Sequence, residues 1–328
     1  MKHDRSKLPG DFAAGKMDRR RFIQALGAGA TAALGACTFP RLADPDAGGG
    51  FTRATAVNHI SYAVADYARS RDFYMDLLGM KLAWDDGKKC SVEFGDPAKP
   101  DAIYIVPGKP GAKANLSHIG YSIENYVGHK SALETEFKRR NIEYKGDTEW
   151  GWTLNDAAGY MIHFIAETGI FPGASEPCAV MASEKCKAAD AIGLKNLAKA
   201  SKPGGNGFKA IAFNHIDLRV PDIAQSRAFY RELFGMQEVY YKADEPNAQC
   251  FLRFGNDALY LRKSQQPGGK PYVDHVAFTI VNYNHEAVGA ELKRRGLNPQ
   301  VDGKLAWAVR DPDGTKIELT GKELPERG

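Results

Sequence analysis

Runs of alternating apolar and polar residues, each followed by a stretch of helical spacing, recur along the chain and predict its elements. Val57 to Val64 and Phe213 to Val220 alternate as strands do. Each leads into a helical pattern that opens at an aspartate, Asp66 or Asp222, a short acceptor suited to the open amides of a first helical turn. Further strand-like runs split by Gly and Asp turns come next, so the predicted unit is β-α-β-β-β.

The unit is repeated. Asn58-His59-Ile60, Ser70 to Tyr74 and Leu78-Gly79-Met80 return as Asn214-His215-Ile216, Ser226 to Tyr230 and Phe234-Gly235-Met236. Asp101 to Tyr104 returns as Asp257 to Tyr260. A second pair of units opens at Ser117-His118-Ile119 and Asp274-His275-Val276, and closes at Gly159 to His163 and Gly314 to Glu318. The chain of 328 residues therefore reads as a duplicated pair of units, over 56–167 and 210–321. A connector rich in Gly, Pro, Ala and Lys, 168–209, joins them and has room for one helix near 183–200.

Alternation also sorts the histidines. His215, Asp217 and Arg219 share one strand face, with Ile216, Leu218 and Val220 on the other. His275 shares a face with Ala277 and Thr279, and Glu318 shares one with Lys316 and Thr320. The apolar faces should pack on the helices, which leaves His215, His275 and Glu318 lining a cavity. A carboxylate between apolar neighbours is costly unless paired or bound to a cation, and two neutral imidazoles with one carboxylate satisfy a divalent ion. His59, His118 and His163 occupy the corresponding places of the first repeat. Three imidazoles there either hold a second metal, most naturally Zn or Cu, or line a residual cavity.

Composition narrows the class. A hydrophobic content of 43% with 26% charged residues is that of a soluble globular chain. The formal charge of +4 arises within residues 1–36, where seven Lys/Arg face three Asp; the remainder is formally neutral, and no nucleic-acid partner is expected. In that segment Asp18-Arg19-Arg20-Arg21-Phe22-Ile23-Gln24 resembles a twin-arginine signal, and the apolar run Phe22 to Ala36 is too short to span a bilayer. Residues 1–37 are thus expected to be an export signal leading to the periplasm. Leu34-Gly35-Ala36-Cys37 resembles a lipobox, so membrane contact is expected only through the signal or through a lipid on Cys37. In an oxidising compartment Cys178 and Cys186 can pair, while Cys90 and Cys250 are expected as packed thiols.

The paired units, with a histidine in each opening strand and Glu318 just ahead of Leu319 after the Asp311-Pro312-Asp313-Gly314 turn, resemble the vicinal oxygen chelate superfamily. That group includes glyoxalase I, extradiol dioxygenases and fosfomycin-resistance proteins, and the resemblance covers nearly all of 56–321. It implies an α+β fold of tandem βαβββ modules closed into two curved mixed-sheet barrels. It also implies a metal on His215, His275 and Glu318, making 210–321 the metal-binding, catalytic domain. Fe(II) suits such a set, and Mn, Zn or Ni can take the same ligands. Tyr260 stands where glyoxalases supply a carboxylate ligand, and either hydrogen-bonds to the substrate or fills the cavity.

The leading expectation is an Fe(II) extradiol-type dioxygenase that consumes O2 and a small oxygenated substrate, aromatic or a ketoacid. Arg219, Arg262 and Tyr104 are the expected substrate-binding residues, with Lys316 a further cation on the same strand faces. The tyrosine that extradiol enzymes carry ahead of the Asp-Pro turn is replaced by Ala308. The alternative is therefore a glyoxalase-like isomerase, lyase or epimerase, for which Tyr260 and Asp217 are the inward-facing candidates for proton transfer. A periplasmic small-molecule binding or resistance protein is the third class.

Overall fold

The structure, a computed structural model, describes residues 50–97, 99–145, 151–166, 207–244, 248–303 and 305–322. The expected export signal with Cys37, and the connector with Cys178 and Cys186, lie outside the described residues. In the first half the elements are β1 (Ala54–Val64), α1 (Tyr67–Leu78), β2 (Lys81–Asp85), β3 (Cys90–Asp96), β4 (Lys99–Pro107), β5 (Asn115–Ile123), α2 (Tyr126–Arg139), β6 (Tyr144–Lys145), β7 (Gly151–Asn155) and β8 (Met161–Ala166). The second half repeats them as β9 (Ala210–Val220), α3 (Ile223–Phe234), β10 (Gln237–Lys242), β11 (Gln249–Phe254), β12 (Asp257–Lys263), β13 (Tyr272–Ile280), α4 (His285–Arg294), β14 (Gln300–Asp302), β15 (Ala306–Arg310) and β16 (Lys316–Thr320).

Each half forms one mixed sheet of eight strands, in the orders β2-β3-β4-β1-β5-β8-β7-β6 and β10-β11-β12-β9-β13-β16-β15-β14. The two units of a half meet where their opening strands pair antiparallel, β1 with β5 and β9 with β13. The tandem βαβββ arrangement is as expected. Closure into barrels is not: among the described residues the outer strands β2 and β6, and likewise β10 and β14, make no ladder with each other, so both sheets stay open.

Local chemistry fixes the elements. Asp66 Oδ1 accepts from the amides of Ala68 and Arg69 at 3.1 Å, and Asp222 Oδ1 accepts from Gln225 at 2.9 Å, capping α1 and α3 as their sequences suggest. Both helices stop at glycines, Gly79 and Gly235, with φ of 63° and 61°, a left-handed conformation that a Cβ would penalise. Strands β1 and β9 begin three residues before the alternation does, at Ala54 and Ala210, which are buried and pair with Ile123 and Ile280. Alanine is a weak strand signal, so burial rather than propensity extends these strands.

The two halves form one compact unit, and their joints are reciprocal. The Tyr74 hydroxyl on α1 donates to Asp311 at 2.9 Å, and the Tyr230 hydroxyl on α3 donates to Asp156 at 2.7 Å. Val57 N donates to Asp257 at 2.7 Å, and Phe213 N donates to Asp101 at 3.3 Å. Phe94 packs edge-on to Phe213 and Phe278, with Tyr121 against Phe234, so each half's aromatics enter the other's core. Cys90 and Cys250 are buried free thiols. Among the described residues no helix is long and apolar enough to cross a membrane.

Candidate metal centre

Three adjacent strands, β9, β13 and β16, carry the expected ligands, and the register explains their meeting. Ala277 on the central strand lies opposite His215 on one side and Glu318 on the other. His275 is two residues earlier on the same strand, hence on the same face. The three side chains therefore close over a methyl group, with Ala258 and Ala308 at the outer flanks of the same row. All three are buried.

The distances leave little room. His215 Nε2 is 3.2 Å from His275 Nε2, 3.5 Å from Glu318 Oε2, and His275 Nε2 is 3.3 Å from Glu318 Oε1. Each ring is fixed from behind: His215 Nδ1 lies 2.9 Å from Asn214 Oδ1, and His275 Nδ1 lies 2.9 Å from Asp274 Oδ2. Both of those partners are acceptors, so the rings carry their protons on Nδ1 and, when neutral, present Nε2 lone pairs to one another and to the carboxylate. Acceptors converging without a donor repel unless a cation lies among them, and two imidazoles plus a carboxylate are a fitting set for a divalent one.

Burial lowers the basicity of His215 against the partial opposition of Glu318, which keeps the ring available as a ligand. Burial acts to raise Glu318, but the closeness of His215 and His275 outweighs it and holds the carboxyl well below its usual range. Asp274 is drawn down to about 2 by its hydrogen bond with His275, against partial desolvation and with help from Arg219. Lys316 Nζ sits 2.8 Å from Glu318 Oε1, the oxygen that faces His275, and 2.6 Å from Asp302 Oδ2, bridging the two carboxylates. Asn214, Asp274 and Ala277 belong to this cluster, and the sequence pattern alone assigns them no part in it. The first two immediately precede their histidines, which is the signal that identifies them.

The remaining expected residues divide. Asp217, a candidate base, is fully buried and ion-paired through both oxygens, to Arg219 at 2.7 Å and to Arg262 at 2.8 Å. Both oxygens of Asp217 are thereby engaged in ordering the two guanidinium groups. Arg219 also approaches Asp274 at 3.6 Å, linking the pair to the ring behind His275. Tyr260 stacks on Phe251 with centroids 4.4 Å apart and meets His215 edge-on at 5.0 Å, giving the site an aromatic wall. Tyr104 is not brought to this site. It stands against His59 at 4.8 Å, in the other sheet. Ala308 faces Glu318 across the β15–β16 ladder with its buried methyl, and Trp307 turns away to donate to His285 O at 2.7 Å.

A cleft of about 860 Å³ between the halves reaches Asp274 and Lys316 on one wall and Ser117 on the other, a volume suited to a small organic ligand. Lys113, Lys270 and Arg310 add positive charge along it.

The family model of the Glyoxalase/Bleomycin resistance protein/Dioxygenase superfamily matches residues 56–168 and 212–319, more than half of the chain. The chain belongs to this superfamily. Among solved structures it is similar to the Mn(II)-bound glyoxalase from Novosphingobium aromaticivorans, at 15% identity and a TM-score of 0.60, covering 84% of each chain. It is equally similar to homoprotocatechuate 2,3-dioxygenase from Brevibacterium fuscum, at 15% identity and a TM-score of 0.60, covering 84% of this chain and 74% of that one. A curated relative, the manganese-dependent 2,3-dihydroxybiphenyl 1,2-dioxygenase of Geobacillus genomosp. 3, is 33% identical over 89 residues. The chain spans only 27% of that relative's length in this match.

Proposed function

We propose that this protein is an exported, metal-dependent oxygenase of the superfamily, of the extradiol type, acting on a small anionic, oxygen-bearing aromatic compound. The observation that carries the proposal is the convergence on one carboxylate of two Nε2 atoms whose rings spend their protons on Asn214 and Asp274. Fe(II) and Mn(II) both suit that set; the short match to a manganese-dependent dioxygenase supports the pair. A divalent cation held by His215, His275 and Glu318 supplies Lewis acidity towards adjacent substrate oxygens.

The protein's own residues then orient the substrate. The Tyr260–Phe251 stack offers a flat aromatic wall beside the ligands. Arg219 and Arg262, ordered by Asp217 and with Arg219 also near Asp274, present guanidinium groups that can bind an anionic substituent in a bidentate way. The lysines and arginine of the cleft give the approach the same sign. The Arg19-Arg20-Arg21 pattern supports a periplasmic location, reached in the folded state.

A second reading, a glyoxalase-like isomerase or lyase, is favoured by one observation: a methyl, Ala308, faces Glu318 at the position where extradiol enzymes carry a tyrosine. Anaerobic reconstitution with Fe(II) or Mn(II), followed by oxygen uptake across a panel of catechols and ketoacids, separates the two. Metal-dependent O2 consumption with a catechol supports the oxygenase. Turnover of an α-hydroxycarbonyl substrate without O2 uptake overturns it.

A further inference from the structure

The first half repeats the three-strand platform with different side chains at a few positions. Gly120 on β5 lies opposite His59 on β1 and opposite His163 on β8, and His118 stands two residues before Gly120. This is the relation of Ala277 to His215, Glu318 and His275, with a third histidine in place of the carboxylate and hydrogen in place of the methyl. The glycine is used: a Cβ built on it would lie 2.2 Å from Cε1 of His59, so that ring occupies the space a methyl would fill.

The ring orientations match as well. His59 Nδ1 lies 2.9 Å from Asn58 Oδ1, as His215 does from Asn214. His118 Nδ1 lies 3.2 Å from Ser117 Oγ, and that hydroxyl gives its own proton to Ser61 O at 3.3 Å, so it accepts from the ring. Both rings are therefore proton-bearing on Nδ1 and turn Nε2 towards the group. The rings of His118 and His163 stack with centroids 4.0 Å apart, and all three histidines bring a ring nitrogen within a 4.8 Å set. Five of the chain's eight histidines thus lie in two equivalent clusters. Desolvation keeps the rings neutral through the physiological range, with His118 lowered to about 3 and His163 to about 4.

We propose that His59, His118 and His163 form a second divalent-metal site, one that prefers Zn(II), independent of the site at His215, His275 and Glu318. Three neutral imidazoles with no carboxylate favour a borderline-soft cation over Fe(II) or Mn(II). His118 and His163 are half-buried, so a bound ion keeps positions open to solvent. Ser117, which holds His118, lines the cleft between the halves and gives the ion a route in.

The test is the Zn(II) content of the untagged full chain after metal removal, reloading and dialysis, with cobalt absorption as a second readout. Wild type should hold two equivalents, His163→Ala one and Glu318→Ala one. His163→Glu, which copies the ligand set of the second half, should hold two. A Co(II) titration of Glu318→Ala should still give the d–d bands of a nitrogen-ligated ion. One equivalent in wild type that survives His163→Ala and is lost in Glu318→Ala overturns the proposal, even where His163→Ala is poorly folded, because the wild-type count stands alone. One equivalent that disappears with His163→Ala and persists in Glu318→Ala upholds it and removes the other site.

Discussion

His215 Nε2 and His275 Nε2 face each other at 3.2 Å while both rings spend their Nδ1 protons on Asn214 and Asp274. The residues behind the rings, rather than the rings alone, decide that lone pairs meet. Removing such partners typically costs 10–100-fold in metal affinity. Asp274→Ala should weaken Mn(II) binding by about that factor, while Asp274→Asn, whose carbonyl still accepts from Nδ1, should weaken it less. Competition titration against a chromophoric chelator measures both; equal losses would show that charge, not ring orientation, is what Asp274 supplies.

Ala277 offers a way to close the site without touching a ligand. It lies between His215 and Glu318 and is fully buried. Ala277→Leu should abolish Mn(II) retention while costing about 1–3 kcal/mol from overpacking. Metal content and urea unfolding of the same sample report both effects. Retained metal in a folded Ala277→Leu protein would place the ion elsewhere.

Asp217 binds two guanidinium groups from a fully buried position. Asp217→Ala removes the carboxylate that Arg219 and Arg262 share and leaves Arg219 its longer contact to Asp274; breaking a buried pair in this way costs about 3–5 kcal/mol. Asp217→Ala with Arg262→Met should recover part of that loss in denaturant unfolding. A single variant as stable as wild type would mean that solvent already screens the two arginines.

The joint between the halves carries a pH signature. Burial raises Asp257 to about 7, with the Val57 amide partly opposing, and burial followed by repulsion from Asp257 raises Asp101 in the same direction. The folded protein keeps the Asp257 proton at pH values where the unfolded chain has lost it. Stability from this group is therefore full near pH 4, declines as pH rises towards 7, and levels off above. Asp257→Asn, which still accepts from Val57 N, should flatten the decline and be more stable than wild type at pH 8, with a ceiling of roughly 4 kcal/mol. Urea midpoints at pH 5 and pH 8 decide it; parallel pH profiles would exclude Asp257 as the source.

The sequence carried the duplicated βαβββ order because the repeated His, Gly and Asp positions are short-range signals: Asp66 and Asp222 cap helices, and Gly79 and Gly235 end them. Alternation likewise placed His215, His275 and Glu318 on inward faces, since period two is a property of any strand. Sheet closure was not legible. It depends on whether β2 reaches β6, a contact that no local pattern encodes. The contacts of Asp217 and Tyr104 were also hidden. Asp217 is neutralised by Arg262 from a neighbouring strand, and Tyr104 shares its site with His59 rather than His215, both consequences of register.

The most direct measurement is a crystal of the protein soaked in Mn(II), read at wavelengths either side of the manganese edge. An anomalous peak is expected within about 2.1 Å of His215 Nε2, His275 Nε2 and a Glu318 oxygen, and is lost in Glu318→Ala. A filled, ordered site with no anomalous density, or a peak that ignores Glu318→Ala, would contradict the three-ligand metal centre.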